Sequence, residues 1–457
     1  MNVSSAALFK DLAGDLYLVF AIGLMLFLPI GQYFCWLGSV REKHRAPSLS
    51  LLLCLCGLTA VVSYVLGWWI SVSFTTGPGI TGSFGDASIA WPWSNAMAPH
   101  VTRPGAGDDL LRWPAFFLAS FLVASLIAGS MLERSRGGAV LLLAASATGV
   151  FWPIAVAWLW SPDSWMVKLL GFHDAFGAAS VHTLAGGFAL GALVSLKPRI
   201  ATFDGDNTVT IMPCPLPWAA ALGNIVVSVG LLGLSLATLS LSVVPNGDQA
   251  ANLVVTGMFG TATSLGTVVV NFIMALAGGL LSGHARHGGD LHYTALGGVA
   301  GVVAVAAGAD AYHPLQAFLI AAALTAIGLA WRNRLALRYG VDDVTGNVAL
   351  HGVVGFLGVF IAGFILWTYP ASPVADFAHI NPFGQLVGGV FGFGLLGFLP
   401  GYLISWFLQY LGVLQQPALS QLAGEGLMES IERFGGQRKA IERELSAAKY
   451  VQSQGDQ

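Results

Sequence analysis

Two histidines, His182 and His351, stand inside long apolar stretches, and each has an aspartate eight residues upstream, at Asp174 and Asp343. The first copy reads D-A-F-G-A-A-S-V-H-T-L-A-G from Asp174 to Gly186. The second, from Asp343 to Gly355, repeats Asp174, Gly177, His182 and Gly186 as Asp343, Gly346, His351 and Gly355 at identical offsets. Each copy sets a carboxylate at the head of an apolar run and an imidazole roughly 12 Å further along, at the 1.5 Å rise of an α-helix. An ionisable side chain at such depth is costly and marks a functional site by default. Imidazole can donate, accept and relay a proton.

The elements that must hold these residues are membrane-spanning. With 457 residues, 55% hydrophobic, 9% charged and 58 glycines, the chain is too apolar and too poor in charge for a water-soluble protein of its size. Apolar stretches of about 20 residues recur, the length that crosses a hydrocarbon core of roughly 30 Å. The expected fold class is an all-α polytopic membrane protein with eleven spans, near 14–37, 49–75, 110–132, 138–161, 174–196, 216–243, 253–283, 291–309, 313–333, 343–369 and 383–413. The net charge of -3 says little about partners. Cys35, Cys54, Cys56 and Cys214 lie in or beside apolar runs and read as packing residues. The start, Met-Asn-Val-Ser-Ser, lacks the basic head and cleavage site of a signal peptide. There is no phosphate-binding glycine loop before a helix, no cluster of metal ligands and no nucleophile–base pair. The expectation is therefore no enzyme, no cofactor, no metal and no nucleic-acid partner.

Basic residues in the short loops set the orientation. Arg41, Lys43 and Arg45, Arg134 and Arg136, Lys197 and Arg199, Arg286, and Arg332, Arg334 and Arg338 all follow odd-numbered spans. By the positive-inside rule the N-terminus is outside and the C-terminus cytoplasmic. The histidines fall on spans five and ten, so the unit is five helices. A five-helix unit repeated in tandem enters the membrane from opposite sides, giving a 5+5 inverted repeat plus one extra helix. Such repeats tend to place a substrate path near the midplane, where His182 and His351 would meet. The eleventh span is expected to pack outside both halves.

The other motif residues admit plainer readings. Asp343 reads as a helix cap; Asp174 can cap or attract a cation at the outer face. Gly177, Gly186, Gly346 and Gly355 read as close helix approaches in a bundle rich in small residues.

D-x-x-G-x-x-x-x-H-x-x-x-G in the fifth span, the run from Asp342-Asp343 to His351-Gly352-Val353 and Gly355 in the tenth, and an outside N-terminus together resemble the ammonium transporter family (Amt/Mep/Rh). The likeness runs to about residue 430. It implies a homotrimer in the cell's inner membrane, each subunit with its own pore lined by the twin histidines. In such a pore ammonium is recruited outside, loses its proton, and crosses past the histidine pair. The family pattern puts Trp160 at the vestibule aromatic, although an interfacial belt tryptophan is the alternative, and puts Ser235 and Thr238 at the vestibule hydroxyls. Where most members stack two phenylalanines as an outer gate, the resemblance puts Ala119 and Leu234, with Phe117 and Phe121 a small shift away.

Residues 414–457 are charge-rich, and Ile441, Leu445 and Ala448 suggest a short amphipathic helix over 436–451. The expected domains are a transmembrane unit, 1–413, and a cytoplasmic tail, 414–457. Three functions follow: an ammonium transporter; an ammonium sensor signalling through the tail to an output domain or partner; or a transporter of another small solute such as carbon dioxide. A trimeric PII-type protein is the cytoplasmic partner that the resemblance implies.

Overall fold

The computed structural model describes residues 3–75, 92–94, 97, 108–162, 164–200, 213–246, 249–371 and 378–424. Ten of its helices are long and apolar enough to cross a membrane, and an eleventh apolar helix, Leu291–Val305, is shorter. In chain order they are α1 (Leu12–Ser39), α2 (Glu42–Ser73), α3 (Leu110–Ser130), α4 (Gly137–Leu159), α5 (Ala178–Ser195), α6 (Pro217–Ala237), α7 (Leu265–Arg286), α8 (Leu291–Val305), α9 (Pro314–Tyr339), α10 (Val348–Ile365) and α11 (Pro382–Tyr410). An apolar helix overlaps each of the eleven expected spans, although the eighth is short, and the expected 216–243 runs past α6, and 253–283 starts before α7, into strand residues. The protein is a multi-pass membrane protein in which α1–α5 and α6–α10 form the repeat.

Local sequence explains several helix starts. Pro217, Pro314 and Pro382 occupy first turns, where a missing N–H costs nothing. Asn381 accepts from the Gly384 N–H at the head of α11, and Asp290 accepts from the Tyr293 N–H at the head of α8.

One departure from an all-α plan lies between α6 and α7. Three strands, β1 (Ser240–Asn246), β2 (Gln249–Thr256) and β3 (Ala262–Thr263), form a small antiparallel sheet in the order β1-β2-β3. The chain there carries Val243, Val244, Val254, Val255 and Thr256 on either side of Asn246-Gly247, a hairpin signal that hydropathy counting passes over.

Lipid offers helices no hydrophobic reason to associate, so close backbone contact has to hold the bundle. On α1, a Cβ added at Gly31 would lie 2.6 Å from the Val227 backbone of α6, and one at Gly38 would lie 2.3 Å from Ala220 N. The α7–α8 crossing is as close: a Cβ at Gly279 would stand 2.1 Å from Gly297 O. Helix α11 lies against α5, where Gly187 and Gly191 face the carbonyls of Phe393 and Phe398. Meanwhile Leu53, Ile225, Ile273, Leu319, Phe364 and Phe407 are exposed and face the surroundings.

Replacing Gly279 by alanine should therefore destabilise the bundle by about 1–3 kcal/mol through overpacking. Gly23, where an added Cβ meets nothing within 4 Å, should tolerate the same change. Thermal unfolding in detergent checks this, and equal melting temperatures for the two variants would remove the packing argument.

Candidate functional site

The site begins with two matching turns. Asp174 is fully buried, and its carboxylate accepts from the N–H groups of Ala178, Ala179 and Ser180 and from the Ser180 hydroxyl, at 2.6 to 3.0 Å. Asp343 accepts from the N–H groups of Gly346 and Val348. Between cap and helix, Gly177 and Gly346 take left-handed φ values of 84° and 82°, which a side chain would strain. The D-x-x-G motif is thus a capping turn, and α5 and α10 start four or five residues later than hydropathy implies. Stripping a carboxylate of water costs several kcal/mol, and charged hydrogen bonds worth about 1.5–3 kcal/mol each offset it. The Asp174 oxygens are accordingly committed to their own helix. They are buried and form no part of an exposed surface.

Past each turn the chain winds as a π-helix, over Ala178–Thr183 and Val348–Val353, before settling into α geometry. Each π segment contains the histidine, as such local distortions at functional sites often do. The wider winding changes the face on which each imidazole emerges, and the 12 Å estimate for a regular α-helix does not carry over.

Helices α5 and α10 then meet backbone to backbone. A Cβ at Gly186 would lie 2.2 Å from the Gly352 Cα, and one at Gly355 would lie 2.6 Å from the Thr183 hydroxyl. Gly186 and Gly355 are close approaches as expected, whereas Gly177 and Gly346 serve the turns. At this crossing His182 Nδ1 and His351 Nδ1 are 3.0 Å apart, with ring centroids separated by 4.9 Å. Both rings are buried, at 1% and 5% exposure. A contact between two Nδ1 atoms needs one to carry the proton and the other to accept it, so the rings adopt complementary tautomers. The pair can therefore hold a proton between its members and present its outer nitrogens to a guest.

Above His182 lies a narrow cavity of about 10 Å³, space for roughly one water. Leu234, Ser235, Phe176 and Phe272 line it with Ala306 and Ala309. Ser235 and Leu234, both singled out from sequence, reach it. Thr238 instead donates to the Ser235 carbonyl, and Trp160 donates to the Ala175 carbonyl at 3.5 Å beside the Gly177 turn. Neither lines the cavity, and neither does Ala119, which is buried within α3. Phe117 stacks on Trp113 at 5.7 Å, and Phe121 packs in a cluster with Trp36, so no small shift brings either to the passage. The aromatic rings at the cavity are Phe176 and Phe272, which the sequence reading missed. Phe176 was legible in principle, since it lies two residues after Asp174 inside the motif.

Each turn is also tied to the opposite half. Ala175 and Phe176 donate backbone N–H groups to Ala307 and Ala306 after α8; Val344 donates to Ser130 after α3. The residue before each capping aspartate adds a buried ion pair. His173 Nε2 lies 3.1 Å from both Asp310 oxygens, while Asp342 pairs with Arg134 at 3.3 Å and Arg199 at 2.8 Å. The repeat thus reproduces the linkage with its charges exchanged. Asp342 is part of this network rather than of the capping turn. Burial favours the neutral Asp342 carboxyl, but the guanidiniums of Arg134 and Arg199 hold it well below the usual carboxylate range. Arg134, whose Nε and Nη1 lack hydrogen-bond partners among the described residues, is brought down to about 10 by burial; the fork of Arg199 is engaged by Asp342 and Glu133 and stays charged. Glu133 joins Arg41 to Arg199.

The chain after α11 returns to this network. Gln416 N–H donates to the Arg134 carbonyl, Arg136 N–H donates to the Leu414 carbonyl, and His44 Nε2 bonds the Gln421 carbonyl. Residues 414–416 are therefore docked on the loop between α3 and α4 and Gln421 on the start of α2, while the expected helix over 436–451 lies outside the described residues.

Fold and site together define a membrane-embedded carrier or channel protein built as an inverted repeat around a buried histidine pair. A sequence profile described as Ammonium Transporter Family matches residues 16–421, and the chain belongs to that family. It is 27% identical over 386 residues to "Ammonium transporter Amt2" of Methanocaldococcus jannaschii, covering 83% of this chain and 81% of that protein. It is 28% identical over 486 aligned residues to "Ammonium transporter 1 member 3" of Solanum lycopersicum, covering 98% of each. Among solved structures, a "Sensor Amt Protein" superposes with a TM-score of 0.72 at 19% identity, over 91% of this chain and 98% of that one.

The His173–Asp310 pair has a pH signature. Burial disfavours the imidazolium, but the Asp310 charge and hydrogen bond, with Asp174 nearby, raise the pKa above 6.5. A raised folded-state value contributes stability fully below the unfolded pKa of about 6.5 and loses it as pH rises through the folded value. Melting temperature should fall with pH above about 6.5 in the native chain and fall less in His173→Gln. Parallel profiles would contradict the assignment.

Proposed function

We propose that the protein moves ammonium nitrogen across the membrane along a passage that enters past Phe176, Phe272, Leu234 and Ser235 and is bridged by His182 and His351. The single observation that carries this is the 3.0 Å contact between the two Nδ1 atoms beneath the cavity, in a chain of the ammonium transporter family. An ion is strongly disfavoured at the bilayer centre, whereas ammonia is neutral. Ammonium arriving at the mouth gives its proton to the unprotonated outer nitrogen of the pair, the shared Nδ1 proton passes to the partner ring, whose outer nitrogen releases its own proton beyond, and neutral ammonia follows along the imidazole nitrogens.

In this reading Ser235 is the hydroxyl that meets the guest, and Trp160 and Thr238 shape the mouth one layer back. Trp160 supplies ring surface of the kind that stabilises a cation by about 0.5–2 kcal/mol when it lies within reach. Asp174 acts by fixing the turn. Leu234 leaves the mouth open on its side, while the Phe176 and Phe272 rings narrow it. The basic loops orient the chain with its N-terminus outside and its C-terminus inside, in the inner membrane. The family likeness supports a homotrimer with one passage per subunit and a PII-type protein as the cytoplasmic partner.

A second reading has a specific observation in its favour. Residues 414–416 are hydrogen-bonded to the loop bearing Arg134, which pairs with Asp342 beside the turn that begins α10. Ammonium held at the histidine pair could thereby alter the segment leading into residues 425–457, which is the behaviour of a sensor. The name "Sensor Amt Protein" borne by one structural relative fits that reading.

Reconstituted protein on a supported membrane, challenged with an ammonium pulse, separates the two. Transport predicts a current that saturates with ammonium and is abolished in His182→Ala/His351→Ala. Calorimetric binding of ammonium with no current would replace the transporter with the sensor, and an undiminished current in the double variant would overturn the role of the pair.

A further inference from the structure

Beside the ion-pair network lies a second cavity, of about 250 Å³, at the end of the molecule that carries the basic loops. Arg41, Arg199, Arg332, His292, Ser39 and Cys214 stand in its wall, and no carboxylate lines it among the described residues. Glu133 and Asp342 engage Arg41 and Arg199, but Arg332 makes no ion pair among the described residues. Three donors on lining residues are left over. Arg41 Nη2, Arg332 Nη1 and His292 Nδ1 are buried with no hydrogen-bond partner among the described residues, and His292 is only 6% exposed. Unsatisfied buried donors cost about 1–3 kcal/mol each, more when charged, so three around one cavity call for a common acceptor.

The donors are also held in place. The Arg332 guanidinium stands over the Tyr293 ring at 5.1 Å, and that ring stacks on His287 at 3.7 Å. Among the described lining residues, positive charge without a facing carboxylate and several fixed donors around a concave space form the chemistry that binds oxyanions. The volume is below the roughly 300–1,000 Å³ of sites for drug-sized ligands, which favours a small guest.

We propose that this cavity binds a phosphate-class oxyanion, held by the Arg41 and Arg332 guanidiniums with His292 Nδ1–H and the Ser39 hydroxyl as further donors. The site adjoins the turn at the head of α10, because a Cβ at Gly346 would lie 2.7 Å from Arg332 Nε. An anion on Arg332 therefore bears on the helix that carries His351. This binding does not depend on whether the passage conducts.

The same phosphate chemistry is offered by free phosphate and by the headgroup of an anionic lipid, and the test separates them. Delipidated full-length protein is titrated with inorganic phosphate against chloride at matched ionic strength by calorimetry. Native mass spectrometry counts bound phosphatidic acid against phosphatidylcholine. Saturable phosphate binding at one site per chain, weakened roughly tenfold or more in Arg332→Gln and largely kept in Arg332→Lys, is the expected result for a soluble anion. Retention of phosphatidic acid alone, with the same dependence on Arg332, assigns the site to a headgroup. Should Arg332→Gln fail to fold, His292→Leu, which removes a neutral donor, is expected to weaken binding in the same sense. Absence of both kinds of binding, or binding indifferent to Arg332 and His292, would overturn the proposal.

Discussion

The constraint on which the rest depends is the contact of two glycines. Gly186 and Gly352 let α5 and α10 touch through their backbones, and at that separation His182, one turn before Gly186, and His351, next to Gly352, share a hydrogen bond. A methyl group at Gly186 would fall 2.2 Å from the Gly352 Cα, inside any tolerable contact. Close packing in lipid is thus inseparable here from the chemistry of the site, since the same contact holds the halves together and sets the distance over which a proton is shared.

Everything around the crossing fixes the two helices at their heads. Each begins in a left-handed glycine turn capped by an aspartate, passes through a π-helical segment, and is linked to the other half by a buried ion pair. The charges are exchanged between copies, with His173 facing Asp310 in one and Asp342 facing arginines in the other. Such pairs contribute little net stability because desolvation consumes most of the attraction, but breaking one leaves an isolated buried charge. Their effect is to make a single arrangement of the crossing much better than its neighbours.

Much of this was legible in the sequence, and the limits have physical causes. Hydropathy gives the class and places all eleven apolar helices, because the bilayer fixes span length whatever the details of packing. The repeated offsets identify which two helices must meet. What periodicity cannot report is local winding: no pattern in A-A-S-V-H-T distinguishes π from α geometry, so the facing of each imidazole was out of reach. Capping was one of the two readings the sequence left open for Asp174, but the left-handed turn at Gly177 was not legible, because a capping turn and an apolar helix start look alike to hydropathy. His173 and Asp310 lie 137 residues apart, and only the folded chain brings them together. Phe272 reaches the cavity from a helix with no motif at all.

The central claim is that His182 and His351 share one proton and that ammonium meets it there. Nuclear magnetic resonance on protein labelled with ¹⁵N-histidine reads this directly, through scalar coupling between nitrogens across the hydrogen bond. The account predicts a coupled pair of imidazoles with complementary tautomers whose resonances shift when ammonium is added. Two uncoupled imidazoles, indifferent to ammonium, would contradict it.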